Sequence, residues 1–411
     1  MELRTSSYLT GMVMSDSVIQ QDVSWPLART CPMAPPPAYG ELRRNPPRKV
    51  NLPDGGWAWL VTKYADVRQA LMDPRFSSDD TKPGFRGRIQ LPPDRNMNSF
   101  WRMDEPEHGK QRHMVMTEFT ARRIKELRPR IQELVDDLLD RLEQLPRPLD
   151  LFTEFCLPLP TLVIARLLGV PEGDYLTFSE QSRLCLALDA PDKALAAYQD
   201  MTAYLHRLAE KKERNPADDL ISRLITDHVL TGELAREDLV PLIRLVLIAG
   251  YETTTNQIAL SVLSLLTEPG LLAALQEAPE RIHPFIEESL RFWSVSHDNI
   301  LRLVDADMDF GGVRMSKGEA VIVAIPSANH DPSVYDEPGR FDMDRDVQKH
   351  VAFGHGTHLC PGAPLARREI EMAITSLFAR FPDIRLVGAT DDLAFRNESL
   401  VYGLNELPVT W

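Results

Sequence analysis

The chain has 411 residues, 43% apolar and 26% charged, and a formal net charge of −14. That length supports a large buried core, and the acidic balance argues against general nucleic-acid binding, which needs a basic face. Four cysteines, Cys31, Cys156, Cys185 and Cys360, stand at irregular spacings with no C-x-x-C pair, the pattern of free thiols in a reducing compartment. No run approaches the about 18 apolar residues of a membrane span. The first 20 residues lack the apolar core and cleavage site of a signal peptide, so a cytoplasmic protein without membrane contact is expected.

Residues 1–22 read as a flexible leader and 23–411 as a single domain. "CPMAPPPAYGELRRNPPRKV" is proline-rich and is expected to dock as an extended segment through Tyr39 and Leu42. "KVNLPDGGWAWLVT" predicts two strands around a turn at Asp54-Gly55-Gly56, and "ADVRQALMDP" a short helix stopped by Pro74. Residues 77–100 read as a long loop of the kind that covers binding sites. From Glu105 to Glu277 the pattern is helical, with Ile124, Leu127, Ile131, Leu134 and Leu138 at spacings of three and four. The stretch from Ala235 to Pro269 is apolar nearly all round, which predicts a central, buried helix. Another helix is expected over "PERIHPFIEESLRFW", then short strands with Gly-Gly and Lys-Gly turns, an amphipathic helix over "APLARREIEMAITSLFARF" and a last hairpin over "NESLVYGLNELPVTW".

Between those strands and that amphipathic helix lies "AFGHGTHLCPGAPLARREI", a cysteine ringed by glycines. A metal-binding thiolate must be ionised and approach its metal closely. Glycines let backbone fold tightly beneath a flat cofactor, where a Cβ would clash. A buried structural thiol and a zinc site with His355 and His358 are the other readings. Zinc wants four ligands, and no second cluster at comparable spacing is evident. Phe353, Gly356, Cys360 and Gly362 give F-x-x-G-x-x-x-C-x-G, which resembles the haem-binding loop of the cytochrome P-450 superfamily.

That resemblance covers about Trp25 to Trp411 and implies the family's mainly α fold with small β-sheets, a triangular prism. Haem b would lie between the long central helix and the cysteine-loop helix. It implies Cys360 as axial ligand to haem iron, with Phe353, Gly354 and Gly362 shaping the cofactor loop. "AGYETTT" matches the family's A-G-x-D/E-T-T beside the haem, with Ala249 against the cofactor and Glu252 and Thr253 relaying protons during O2 activation. Glu252 and Thr253 in a buried helix also favour a local opening with an inserted water. Glu288 and Arg291 form an E-x-x-R pair on one helix face. The resemblance makes it a buried structural pair completed by Arg340 of "EPGRF". "DEPEHGKQRH" supplies His108 and Arg112, which with Arg302 and His358 match the family's haem-propionate partners.

The activity implied is a haem-thiolate monooxygenase that inserts one oxygen atom from O2, by hydroxylation or epoxidation, into a secondary metabolite such as a polyketide or macrolide. Electrons would come from NAD(P)H through ferredoxin reductase and a ferredoxin, docking where Lys110, Arg112, Arg367 and Arg368 present positive charge, and a monomer is expected. A peroxide-driven peroxygenase of the same fold or a haem-thiolate sensor without turnover are the alternatives. The acid–alcohol pair disfavours both. Family members line the substrate pocket where this chain has Phe85, Met97, Leu184, Leu245, Ala249, Val295, Ile300 and Leu400. His297, Asp298 and Asn299 are more polar than that pattern and read either as partners of a polar substituent or as a solvated turn. Lys82, Arg86, Arg88 and Arg95 read as partners of an anionic group or as solvated charges.

Overall fold

An apolar helix with no polar face has to be surrounded, and the central helix Arg236–Thr267 is. In the computed structural model, which describes residues 23–411 except 87–98, 185–190, 269, 298–299 and 398, its Leu242, Leu247, Ile258 and Leu263 are fully buried. Helices Pro158–Leu168, Ile282–Trp293 and Ala363–Arg380 pack against it. Gly250 permits the first of these contacts: a Cβ there would fall 2.6 Å from Ile164 Cδ1. Helix Ala121–Gln144 begins at Thr120, whose hydroxyl accepts the Arg123 N–H, and it lies along Ala363–Arg380. It buries Ile124, Ile131 and Leu138 and keeps Leu127 and Leu134 at the margin of the core. Among the described residues no single helix is long and apolar enough to cross a membrane.

The larger sheet has five strands in the order Arg48–Asn51, Trp57–Val61, Ala320–Val323, Leu301–Val304 and Phe76–Ser77. The first pair is the expected hairpin: Gly55 sits at φ +80°, and the Gly56 N–H donates to Asp54 Oδ1 at 2.9 Å. Trp57–Val61 runs parallel to Ala320–Val323, and the other pairings are antiparallel. This sheet delivers Arg302 and the Phe76–Ser77 edge to the same end of the fold as the cysteine loop, where Ser78 meets His358.

Two expectations need correction. The proline-rich segment is not extended throughout, because Ala38–Leu42 forms a short helix that buries Tyr39 and Leu42 together. The C-terminal residues do not close a full hairpin. Pro408–Thr410 pairs instead with Leu149–Asp150 and Arg385–Leu386, which buries Val409 completely between two neighbours. Leu404 bridges instead to Phe395, which precedes the expected hairpin. The expected leader lies outside the described residues.

Candidate active site

The cysteine loop is fixed by backbone geometry. Cys360 N–H donates to Phe353 O at 2.9 Å, and Gly354 N–H to Val351 O at 2.8 Å. Gly354 and Gly356 occupy left-handed backbone, at φ +77° and +72°, and a Cβ on Gly356 would lie 2.7 Å from Leu71 O. Helix Ala363–Arg380 then starts three residues after the thiol. Burial pushes the Cys360 thiol up; N–H groups of Gly362 and Ala363 donating to the sulfur, and the guanidinium groups of Arg112 and Arg367, act the other way. A Cβ on Gly362 would touch Sγ at 3.9 Å, so its absence leaves that side of the sulfur open. The zinc alternative does not form: His355 turns to Arg68 at 3.0 Å and His358 to Ser78 Oγ at 3.1 Å. Among the described residues no group of three or more His, Cys, Asp or Glu is placed to hold a metal ion.

Beside the loop the expected propionate partners come together. The rings of His108 and His358 lie 4.1 Å apart. Burial, with Arg302 adding to it, holds His358 down at about 3, so the ring is neutral at physiological pH. Arg302 is buried, and burial lowers it to about 10. Arg112 donates to Leu359 O at 2.5 Å. His108 Nδ1 meets Glu105 Oε1 at 2.8 Å, while its buried Nε2 has no partner. The unpartnered ring nitrogen of His108, the buried positive charge of Arg302 and the N–H groups facing the Cys360 sulfur fit a dianionic cofactor held by thiolate.

The acid–alcohol turn sits mid-way along the central helix. Thr253 Oγ1 donates to Ala249 O at 2.8 Å, and the helix continues without a break, so the expected opening does not occur; the hydroxyl finds its acceptor within the turn. Leu245, Ala249 and Thr253, four residues apart, form a strip that stays accessible along the middle of this mostly buried helix. Glu252 points elsewhere. It is 3% exposed, and its Oε1 lies 3.0 Å from Arg396 Nη1. Arg396 reaches it because the Phe395–Leu404 bridge and the Arg396 N–H bond to Gly403 O lay this loop on the helix. Gly403 fits flush: a Cβ would fall 1.6 Å from Asn256 Oδ1. The sequence reading missed Arg396, whose surroundings "AFRNESL" carry no motif.

Glu288 and Arg291 form the expected fully buried pair, with bonds of 2.6 and 2.7 Å. The arginine that completes it is corrected from Arg340 to Arg345. Arg345 Nε lies 3.4 Å from Glu288 Oε1 with a buried side chain. Arg340 is exposed, paired with Glu337 and Asp342, and contributes only its carbonyl to Arg291. Both arginines follow the same turn, and only the one whose stem is covered can afford to face a buried carboxylate.

The substrate expectations are scattered. Val295 is buried, Leu184, Leu245 and Leu400 are half-buried, and Phe85 and Ile300 pack on the two smaller apolar clusters. Met97, Asp298, Asn299, Arg88 and Arg95 lie outside the described residues. His297 is neither free nor solvated, since its Nε2 meets Ser399 O at 2.7 Å. Lys82 bonds Asp104 and Asp305, and Arg86 bonds Asp54, so these two charges are already answered. The positive face is also thinner than expected. Arg367 pairs with Glu287, Arg368 with Glu371 and Lys110, at 3.5 Å, with Glu107; of the three Lys110 is the most exposed.

Comparisons with known proteins agree with this geometry. The family model described as Cytochrome P450 matches residues 190–386. Cytochrome P450-SU2 of Streptomyces griseolus is 42% identical over 392 residues, covering 93% of this chain and 94% of the relative. Pentalenic acid synthase of Streptomyces avermitilis is 40% identical over 397 residues, covering 96% and 98%. The solved structure of mycinamicin VIII C21 methyl hydroxylase from Micromonospora griseorubida, bound to mycinamicin VIII, superposes with a TM-score of 0.89 at 37% identity, covering 95% of this chain and all of that one. With such identity sustained along nearly the whole of each pair, the resemblance in the cysteine loop becomes membership: the chain belongs to the cytochrome P450 family.

Proposed function

We propose that this monooxygenase oxidises a medium-to-large secondary metabolite at a C–H bond or double bond, with single electrons from a ferredoxin. The observation that carries the reading is the Cys360 sulfur, half-buried and faced by two backbone N–H groups and two guanidinium groups. Cys360 would ligate the haem iron, and His108, Arg112, Arg302 and His358 would hold its carboxylates. Bound there, haem with a thiolate ligand supplies O2 activation.

The chain's own residues then have separable tasks. Glu252, held beside Arg396, keeps its carboxyl next to the accessible strip, and Thr253 presents its hydroxyl on that strip. Consecutive helix positions point about 100° apart. A proton held at the Glu252 carboxylate therefore reaches the strip by rotation of that side chain or through one water to Thr253 Oγ1. Leu245, Ala249 and Val295 supply apolar surface that orients a hydrocarbon substrate and excludes bulk water. Relatives named as pentalenic acid synthase and mycinamicin VIII C21 methyl hydroxylase support a natural-product substrate. Lys110, with the exposed Leu359 and Met72 flanking the cysteine loop, suits an acidic electron donor.

The test is a Soret titration of the purified ferric protein with ligands graded by size, from small aromatics to macrolides. A low- to high-spin shift with one class identifies the substrate family; absence of a Soret band after haem-replete expression overturns the reading. Charge reversal at Lys110 should slow electron delivery several-fold and leave the spin-shift affinity unchanged.

A further inference from the structure

Arg102 closes the short turn Phe100–Arg102, two residues before Asp104, and has no role in the site so far described. Its side chain is one-tenth exposed and lies between aromatic rings, 4.1 Å from Trp101 and 5.1 Å from Phe85. Its Nη1 is buried with no acceptor. The nearest carboxylate, Asp80, stands 3.9 Å from Nε, beyond hydrogen-bond reach. Burial lowers Arg102 to about 10, and Arg102 in turn depresses Arg302, so two buried guanidinium groups repel one another.

Among the described residues, Asp80 and Asp104 are the acids that act on this pair, and neither makes a hydrogen bond to Arg102 or Arg302. Asp104, the acid that acts on Arg302, already accepts bonds from Ser77 Oγ at 2.5 Å, Ser78 N–H at 2.8 Å and Lys82 Nζ at 2.9 Å. Arg302 spends Nη1 on the Leu301 carbonyl at 2.8 Å, which carries no charge. Two like charges that act on one another in low dielectric are costly unless an anion joins them. Arg302 also acts on His358, whose ring lies 4.1 Å from that of His108, so the pair borders the set already assigned to the cofactor carboxylates.

We propose that Arg102 is a haem-carboxylate partner, offering the buried, unpartnered Nη1 to the same cofactor carboxylate that Arg302 would hold. This rests on the haem reading above. Its planar fork, clamped between Trp101 and Phe85, offers Nη1 without further loss of side-chain freedom. The extra positive charge holds the cofactor more tightly and favours the ferrous state.

The experiment compares wild-type holoenzyme with R102Q and R102K. Haem transfer to excess apomyoglobin should accelerate about tenfold in R102Q, and the ferric/ferrous midpoint potential should fall; R102K, charged but without the fork, should lie between. R102M, apolar and of similar length, carries the same test where R102Q does not accumulate. Unchanged haem release and potential in the neutral variants overturn the proposal, as does a selective loss of affinity for carboxylate-bearing ligands with haem retention intact, which would assign Arg102 to substrate. A wild-type protein without a Soret band would instead defeat the haem reading itself.

Discussion

Thr253 and Glu252 are neighbours in sequence with different surroundings, and this difference sets what each substitution should do. Thr253 satisfies its hydroxyl on the Ala249 carbonyl and lies on the accessible strip. T253A should leave the fold intact and uncouple NAD(P)H consumption from product, read as the ratio of product to NAD(P)H oxidised. Glu252 is buried against Arg396. R396A removes the partner that fixes this carboxylate, so kcat should fall about tenfold with KM little changed; a KM effect alone would place Arg396 in substrate binding. Glu369 is a third case. Burial raises it well above the ordinary carboxylate range, so it is held neutral. E369Q, of equal shape, should therefore leave the melting temperature nearly unchanged, whereas an ionised Glu369 would make the same change costly.

Among elements, the helix Ile282–Trp293 and the turn after Pro338 are joined by one buried ion cluster. R345A leaves Glu288 with one arginine fewer and should cost about 1–3 kcal/mol. R340A should stay within about 0.5 kcal/mol, because its partners are exposed. Urea melts of the two variants distinguish the assignments. The loop 395–404 is seated on the central helix by Gly403, and G403A should cost about 1–3 kcal/mol through overlap with Asn256 and also lower kcat, since the same loop carries Arg396. These elements show where the sequence was readable. The cysteine loop was legible because thiol, glycines and helix start are contiguous, and the central helix because its apolar character is a property of one segment. Arg345, Arg396 and Arg102 were not, because their meaning lies in partners distant along the chain. The C-terminal strand misled for the same reason, as Val409 is covered by strands from two remote segments.

Across the whole molecule, acid is the condition that separates the buried charges. Arg367 and His350 hold Glu287 down to about 2 against the cost of burial. A depressed carboxylate contributes stability that is present above its unfolded value of 4.5 and is lost as pH falls toward 2. E287Q should flatten that limb of the stability–pH curve and cost roughly 1–2 kcal/mol at neutral pH after solvent screening. Thermal melts from pH 6 to pH 2 read both.

The proline-rich N-terminal segment has a reach that its position does not suggest. Arg29 lies 3.7 Å over the Tyr402 ring, and the Tyr402 hydroxyl donates to Pro32 O. Tyr402 in turn adjoins Gly403, which rests on Asn256, while Arg396 grips Glu252. Residues 29–34 and the described residues of 395–404 should therefore open together, with amide protons that exchange with a common free energy. Loosening the clasp with Y402F would raise exchange in both segments at once, which makes the stiffness around Glu252 a quantity set from the N-terminal segment.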